Sequence, residues 1–281
     1  MDSSDPPMHP QDPHGNHTAE PAARDASDDA PAPAAMLVVA VGALALNQLV
    51  SSFGWNALPA SVVILLGAVL GVLLPVLAWC AVLGRPWRST VRLGRLDMRR
   101  ALFAAGFGIA SIAPTYALSV LWQHWMPPSE ASLELYRALL PQGRGDWILG
   151  GLAVVLIGPL GEEILFRGLM LPALARWMPP GLAIVVTAVG FGAAHGSAWL
   201  FAPTAFLGLG LGAVARWNRS TTASWIVHGL FNAAAYVDLC ITGDVQGATL
   251  ERWSTQPAVL AGSIAGLLFF GVATSRMRRG R

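Results

Sequence analysis

Apolar stretches recur along this chain at about 36–53, 58–83, 101–125, 147–174, 181–198, 200–215, 221–240 and 257–274. Each is near the ~20 residues that a helix needs to cross the hydrocarbon core of a bilayer. In that medium every backbone N–H and C=O must be satisfied inside the segment, so stretches of this length are expected to be helices. The pattern predicts an all-α fold, a polytopic membrane helix bundle of about eight transmembrane helices. The weakest separation is between the fifth and sixth stretches, which are short and nearly continuous through Gly196 and Ser197.

Composition and charge divide the chain into three parts. Apolar residues make up 54% and charged residues 12%, too few charges to clothe a soluble surface. Residues 1–35 are rich in Asp, Pro, Ala and Ser without apolar periodicity, which predicts a disordered tail. That tail lacks the basic start of a secretory signal, so the first apolar run should stay in the mature protein. His9, His14 and His17 fall within it and carry no metal-ligand pattern. Residues 36–275 form the transmembrane domain, and 276–281 a short basic tail.

Arginine sets the expected orientation. All basic residues are Arg, so a lysine nucleophile or Schiff base is excluded. With a cytoplasmic N-terminus, the inside loops hold Arg85, Arg88, Arg92, Arg95, Arg99, Arg100, Arg176, Arg216 and Arg219, followed by Arg276 to Arg281. The outside loops hold only Arg137, Arg144 and Arg252. This is the positive-inside bias and puts both termini in the cytoplasm, the expected setting being a bacterial cell membrane. Most tryptophans fall near the span ends, as headgroup anchors do. No basic patch with interleaved aromatics points to nucleic acid.

A strongly polar set interrupts the spans of the second half, Glu162, Glu163, Arg167, His195, His228 and Asn232, with Asn47 and Gln48 the comparable groups in the first half. A charged residue at the centre of a membrane helix costs at least about 2.5 kcal/mol, so such a set marks a site. Glu163 and Arg167 are four apart on one helix face and suit a salt bridge. Glu162 points about 100° away, without that partner. Desolvation raises the pKa of an unpaired carboxylate towards the range of a general base. Gly158, Pro159 and Gly161 precede the pair, and either local unwinding or a simple kink is compatible with them.

His195 follows Phe191 by four residues, and Asn232 follows His228 by four. Each spacing alone also fits ordinary interhelical hydrogen bonding. Counted from the arginine-rich ends at 1.5 Å per residue, Glu162 lies roughly 18 Å deep, His195 roughly 22 Å, His228 roughly 11 Å and Asn232 roughly 17 Å, so all four can meet. Ser129 to Leu140 reads as a short amphipathic surface helix, equally a lid or a connector. Cys80 and Cys240 are expected at opposite ends of their spans, too far apart for a disulfide.

Together, Glu162-Glu163-x-x-x-Arg167, Phe191-x-x-x-His195 and His228-x-x-x-Asn232 resemble the intramembrane CAAX-protease and bacteriocin-processing (CPBP, Abi-type) family, over roughly residues 145–240. The resemblance implies an endopeptidase acting on membrane-associated or lipidated protein and peptide substrates. It implies catalytic roles for Glu162, His195, His228 and Asn232, with Glu162 and His195 activating water and His228 and Asn232 donating to the oxyanion. Glu163, Arg167 and Phe191 would support the geometry. No cofactor is favoured, although Glu162, His195 and His228 would also make an open zinc site. No His-Glu-x-x-His helix makes zinc the default. The competing readings are a polytopic transporter, since buried carboxylates and histidines also relay protons, and a non-catalytic immunity or scaffold protein.

Overall fold

A computed structural model describes residues 31–55, 57–141, 143–243 and 248–279, and the N-terminal tail with its three histidines lies almost wholly outside them. The described residues form helices α1 Pro33–Gly54, α2 Ala60–Val82, α3 Met98–Gln123, α4 Glu130–Arg137, α5 Arg144–Leu174, α6 Pro180–Ala194, α7 Ala198–Asn218, α8 Thr221–Thr242, α9 Ala248–Ser254 and α10 Pro257–Arg279. Among them, seven are long and apolar enough to cross a membrane, and the protein is an all-α integral membrane bundle. α1 begins at Pro33, slightly before the apolar run, because proline at the first helical position has its φ preset and needs no N–H partner.

The expected fifth span, α6, is short. It has 15 residues, about 22 Å at 1.5 Å per residue, against a hydrocarbon core of about 30 Å. The expected fifth span to residue 198 therefore stops early. His195 caps the helix instead of lying within it. Gly196 takes a left-handed φ of 66° and turns the chain into α7.

α6 and α7 then form a tight antiparallel hairpin lined with small residues. A Cβ at Gly192 would sit 2.7 Å from the Phe201 carbonyl oxygen, and one at Gly208 would sit 3.1 Å from Ala188 Cα. Backbones approach this closely only where side chains are absent.

At one end of the bundle Arg92, Arg176, Arg216 and Arg219 line a common cavity. At the other, Trp122 donates to the Ala198 carbonyl at 2.7 Å and Gln123 to Glu251 at 2.5 Å. Cys80 and Cys240 are both free thiols.

Among the described residues three stretches widen into π-helix: Gly67–Leu73 in α2, and Leu152–Ile157 and Ile164–Met170 in α5. Each is followed at once by a helical segment with proline at its start, namely Pro75, Pro159 and Pro172. A proline inside a helix removes an N–H and crowds the carbonyl one turn back, and a π-turn absorbs that misfit. The Gly158-Pro159-x-Gly161 run accordingly does not unwind. The helix stays continuous and the widening falls on either side of the motif.

Candidate active site

Glu162 and Glu163 share the α-helical turn between the two π-stretches of α5, and their environments diverge completely. The Glu163 side chain is 0% exposed and that of Glu162 is 41% exposed. Glu163 Oε1 accepts from Arg167 Nη1 at 2.8 Å, across one turn of the same helix. Arg167 Nη2 reaches the Gly208 carbonyl oxygen on α7 at 3.1 Å, and its guanidinium lies 4.5 Å from the Phe191 ring centre. The cation is thus held by a carboxylate, a backbone oxygen and an aromatic face, which together offset its removal from water.

Glu163 also binds the third motif. His228 Nδ1 lies 3.0 Å from the same Oε1. A carboxylate tied to Arg167 is an acceptor only, so Nδ1 carries a proton. His228 Nε2 then faces the other glutamate, 3.7 Å from Glu162 Oε2. Arg167, Glu163, His228 and Glu162 form one chain of alternating charge capacity across two helices.

His195 is oriented by its own helix. Its Nδ1 is 2.8 Å from the Phe191 carbonyl oxygen one turn earlier. A carbonyl only accepts, so Nδ1 is the donor and, in the neutral ring, Nε2 keeps its lone pair. The Phe191 ring sits edge-to-face with His195 at 4.9 Å, with His228 at 5.5 Å and with Phe166 at 5.3 Å. This fully buried phenyl ring spaces the two imidazoles and covers the arginine.

Asn232 binds the widened turn of α5. Its Nδ2 donates to the Val154 carbonyl at 2.9 Å, and Trp225 Nε1 on the same helix donates to the Leu156 carbonyl at 2.9 Å. Both acceptors lie in the π-stretch before Pro159, whose missing N–H leaves a carbonyl without its helical partner. One of the two Asn232 N–H groups is therefore spent on backbone, leaving one for other work.

Two cavities meet at these residues. The larger, of about 230 Å³, is lined by Glu162, His195, His228 and Asn232 and by Tyr116, Tyr136 and Trp199, among others. The second, about 190 Å³, shares Glu162, Phe191 and His195 but is walled by Asn47, Gln48 and Ser51 of α1. Gln48 Nε2 donates to the Ala194 carbonyl at 3.0 Å and fastens α1 to the end of α6 beside His195. The first half of the chain thus supplies a wall of the site. Its only sequence signal was two amides in an otherwise apolar span.

Helix α4 and the turn after it also reach the cavity. Tyr136 and Leu139 line the larger space, and the Tyr136 ring packs 5.4 Å from Trp199. Burial, followed by the charge of Glu162, pushes the Tyr136 phenol up to about 12, so it stays a hydrogen-bond donor across the neutral range. Among the described residues no three His, Cys, Asp or Glu side chains gather as metal ligands do.

Residues 144–234 match the family model for type II CAAX prenyl endopeptidase Rce1-like proteins. The matched segment covers less than half the chain, runs from the start of α5 to about two thirds of the way along α8 and contains all seven motif residues. It coincides with the resemblance carried by the motifs. Among curated proteins and among solved structures nothing matches the chain.

Proposed function

We propose that this membrane protein is an intramembrane endopeptidase in which Glu162 activates water, and that its substrates are membrane-associated or lipidated proteins or peptides. The arginine bias supports a topology with both termini in the cytoplasm. The observation that carries the proposal is the unequal environment of the adjacent glutamates. Glu163 is buried, with Oε1 held by Arg167 and His228, whereas Glu162 opens onto both cavities beside His195.

A water between Glu162 and His195 has two hydrogens and two acceptors for them, the Glu162 carboxylate and His195 Nε2. Its lone pair then faces a peptide carbonyl carbon in the larger cavity. Glu162 takes one proton as the C–O bond forms, and returns it to the amine nitrogen as the C–N bond breaks. His228 keeps Nδ1–H on Glu163, so a donation from its Nε2 to the developing oxyanion uses the imidazolium form. The second N–H of Asn232 supplies a further donor. No step uses a metal.

Purified protein in lipid nanodiscs should cleave a fluorogenic prenylated peptide, with Glu162→Gln inactive. Wild-type-like turnover in Glu162→Gln would remove the proposed base. Activity lost to chelator and regained with zinc would assign Glu162, His195 and His228 to a metal. A proton-translocating reading draws on the two cavities flanking Glu162, and acidification inside proteoliposomes without peptide cleavage would favour it.

A further inference from the structure

We propose that the arginine-rich end of the bundle contains a built binding site for a phosphate-bearing anion, either the headgroup of an anionic lipid or soluble inorganic phosphate. A cavity of about 440 Å³ there is lined by Arg92, Arg167, Arg176, Arg216 and Arg219, with Ser220 and Thr221 at the start of α8. No Asp or Glu lines it among the described residues. The charges of Arg216 and Arg219 act against that of Arg92, and an anion between them removes that repulsion.

The backbone gathers these charges by specific means. Arg92 and Arg219 both adopt left-handed φ values, 55° and 52°, at which a side chain is sterically disfavoured. The Arg92 turn is held by Thr221, whose N–H donates to the Arg92 carbonyl at 3.0 Å and whose hydroxyl donates to the Val91 carbonyl at 2.6 Å. Partial burial, then the charges of Arg216 and Arg219, push the Arg92 guanidinium below its ordinary value.

Ser220 supplies an independent indication. It stands at the N-cap of α8, yet its side chain makes no capping hydrogen bond. Its hydroxyl is buried with no protein partner, and the residue is 7% exposed. A buried hydroxyl without a partner is costly, so a ligand oxygen is the natural complement. The N-terminus of α8, 22 residues long, adds roughly half a positive charge at the same place. Arg167 Nε, also buried and unpartnered, belongs to the side chain that clamps Glu163, so an occupant sits one residue from the site.

The test uses the full chain in neutral detergent, probed with phosphatidylglycerol by native mass spectrometry and with inorganic phosphate by thermal unfolding at matched ionic strength. Retained phosphatidylglycerol alone assigns a lipid headgroup, and stabilisation by phosphate alone assigns a soluble anion. Binding of neither probe overturns the proposal. In the variant Arg92→Gln/Arg216→Gln/Arg219→Gln, affinity should fall about tenfold or more, whereas Arg85→Gln/Arg88→Gln/Arg95→Gln, on the same end but outside the cavity, should change it about twofold or less. Equal losses would mean diffuse surface attraction and overturn the site. Ala175→Leu fills the cavity while keeping every charge and should also weaken binding. Unchanged affinity there would overturn the proposal even if the arginine variant fails to fold.

Discussion

His228 donates from Nδ1 to Glu163 Oε1 at 3.0 Å, on the same oxygen that accepts from Arg167 at 2.8 Å. The second glutamate of the motif therefore does more than balance an arginine. It fixes which nitrogen of His228 faces Glu162.

Replacing Glu163 should harm both folding and activity. Glu163→Gln leaves a buried guanidinium without its counter-charge, and stability should drop by about 3–5 kcal/mol. Glu163→Gln/Arg167→Met should recover part of that loss without recovering peptidase turnover. Thermal unfolding and cleavage assays on the same preparations check both halves.

Glu162→Gln should separate the two properties. Its side chain is 41% exposed to the cavities, so unfolding should stay close to wild type. Turnover should fall by about 10²-fold or more, the range for loss of a general base. A large drop in stability would mean that Glu162 is structural.

Removing the Asn232 amide should act through α5. Asn232→Leu leaves the Val154 carbonyl unsatisfied and should cost about 1–3 kcal/mol by denaturant unfolding. If the second N–H also meets the oxyanion, kcat should fall while KM changes little.

Pro159→Ala restores a helical N–H and should let the preceding π-turn relax towards ordinary α-helix. That draws the Val154 and Leu156 carbonyls away from Asn232 and Trp225. Turnover should drop although an intrinsic helix breaker has been removed. A variant that is more stable and fully active would show the π-turn to be dispensable.

The α1 wall gives a prediction far from the motifs. A Cβ at Gly71 on α2 would lie 2.4 Å from Asn47 Cα, a backbone atom that cannot swing aside. Gly71→Ala should push α1 outwards, loosen the Gln48 hydrogen bond to Ala194 and reduce turnover. Rates for Gly71→Ala and Gln48→Leu should fall together if that contact positions His195.

Much of this protein follows from one-dimensional pattern. Apolar runs near the length a bilayer core needs specify helices because hydrocarbon offers the backbone no other partner, and i,i+4 spacing brings Glu163 to Arg167 because a single helix fixes that distance. Other features are set between helices. The short α6 that leaves His195 on a turn, the Glu163 to His228 hydrogen bond, the carbonyls that Pro159 frees for α8 and the contact of Gln48 with Ala194 join residues far apart in sequence. Spacing along one helix gives a face but not the neighbour on that face. That neighbour is chosen by how small residues let backbones approach and by where π-turns re-aim carbonyls, and only the packed bundle decides both.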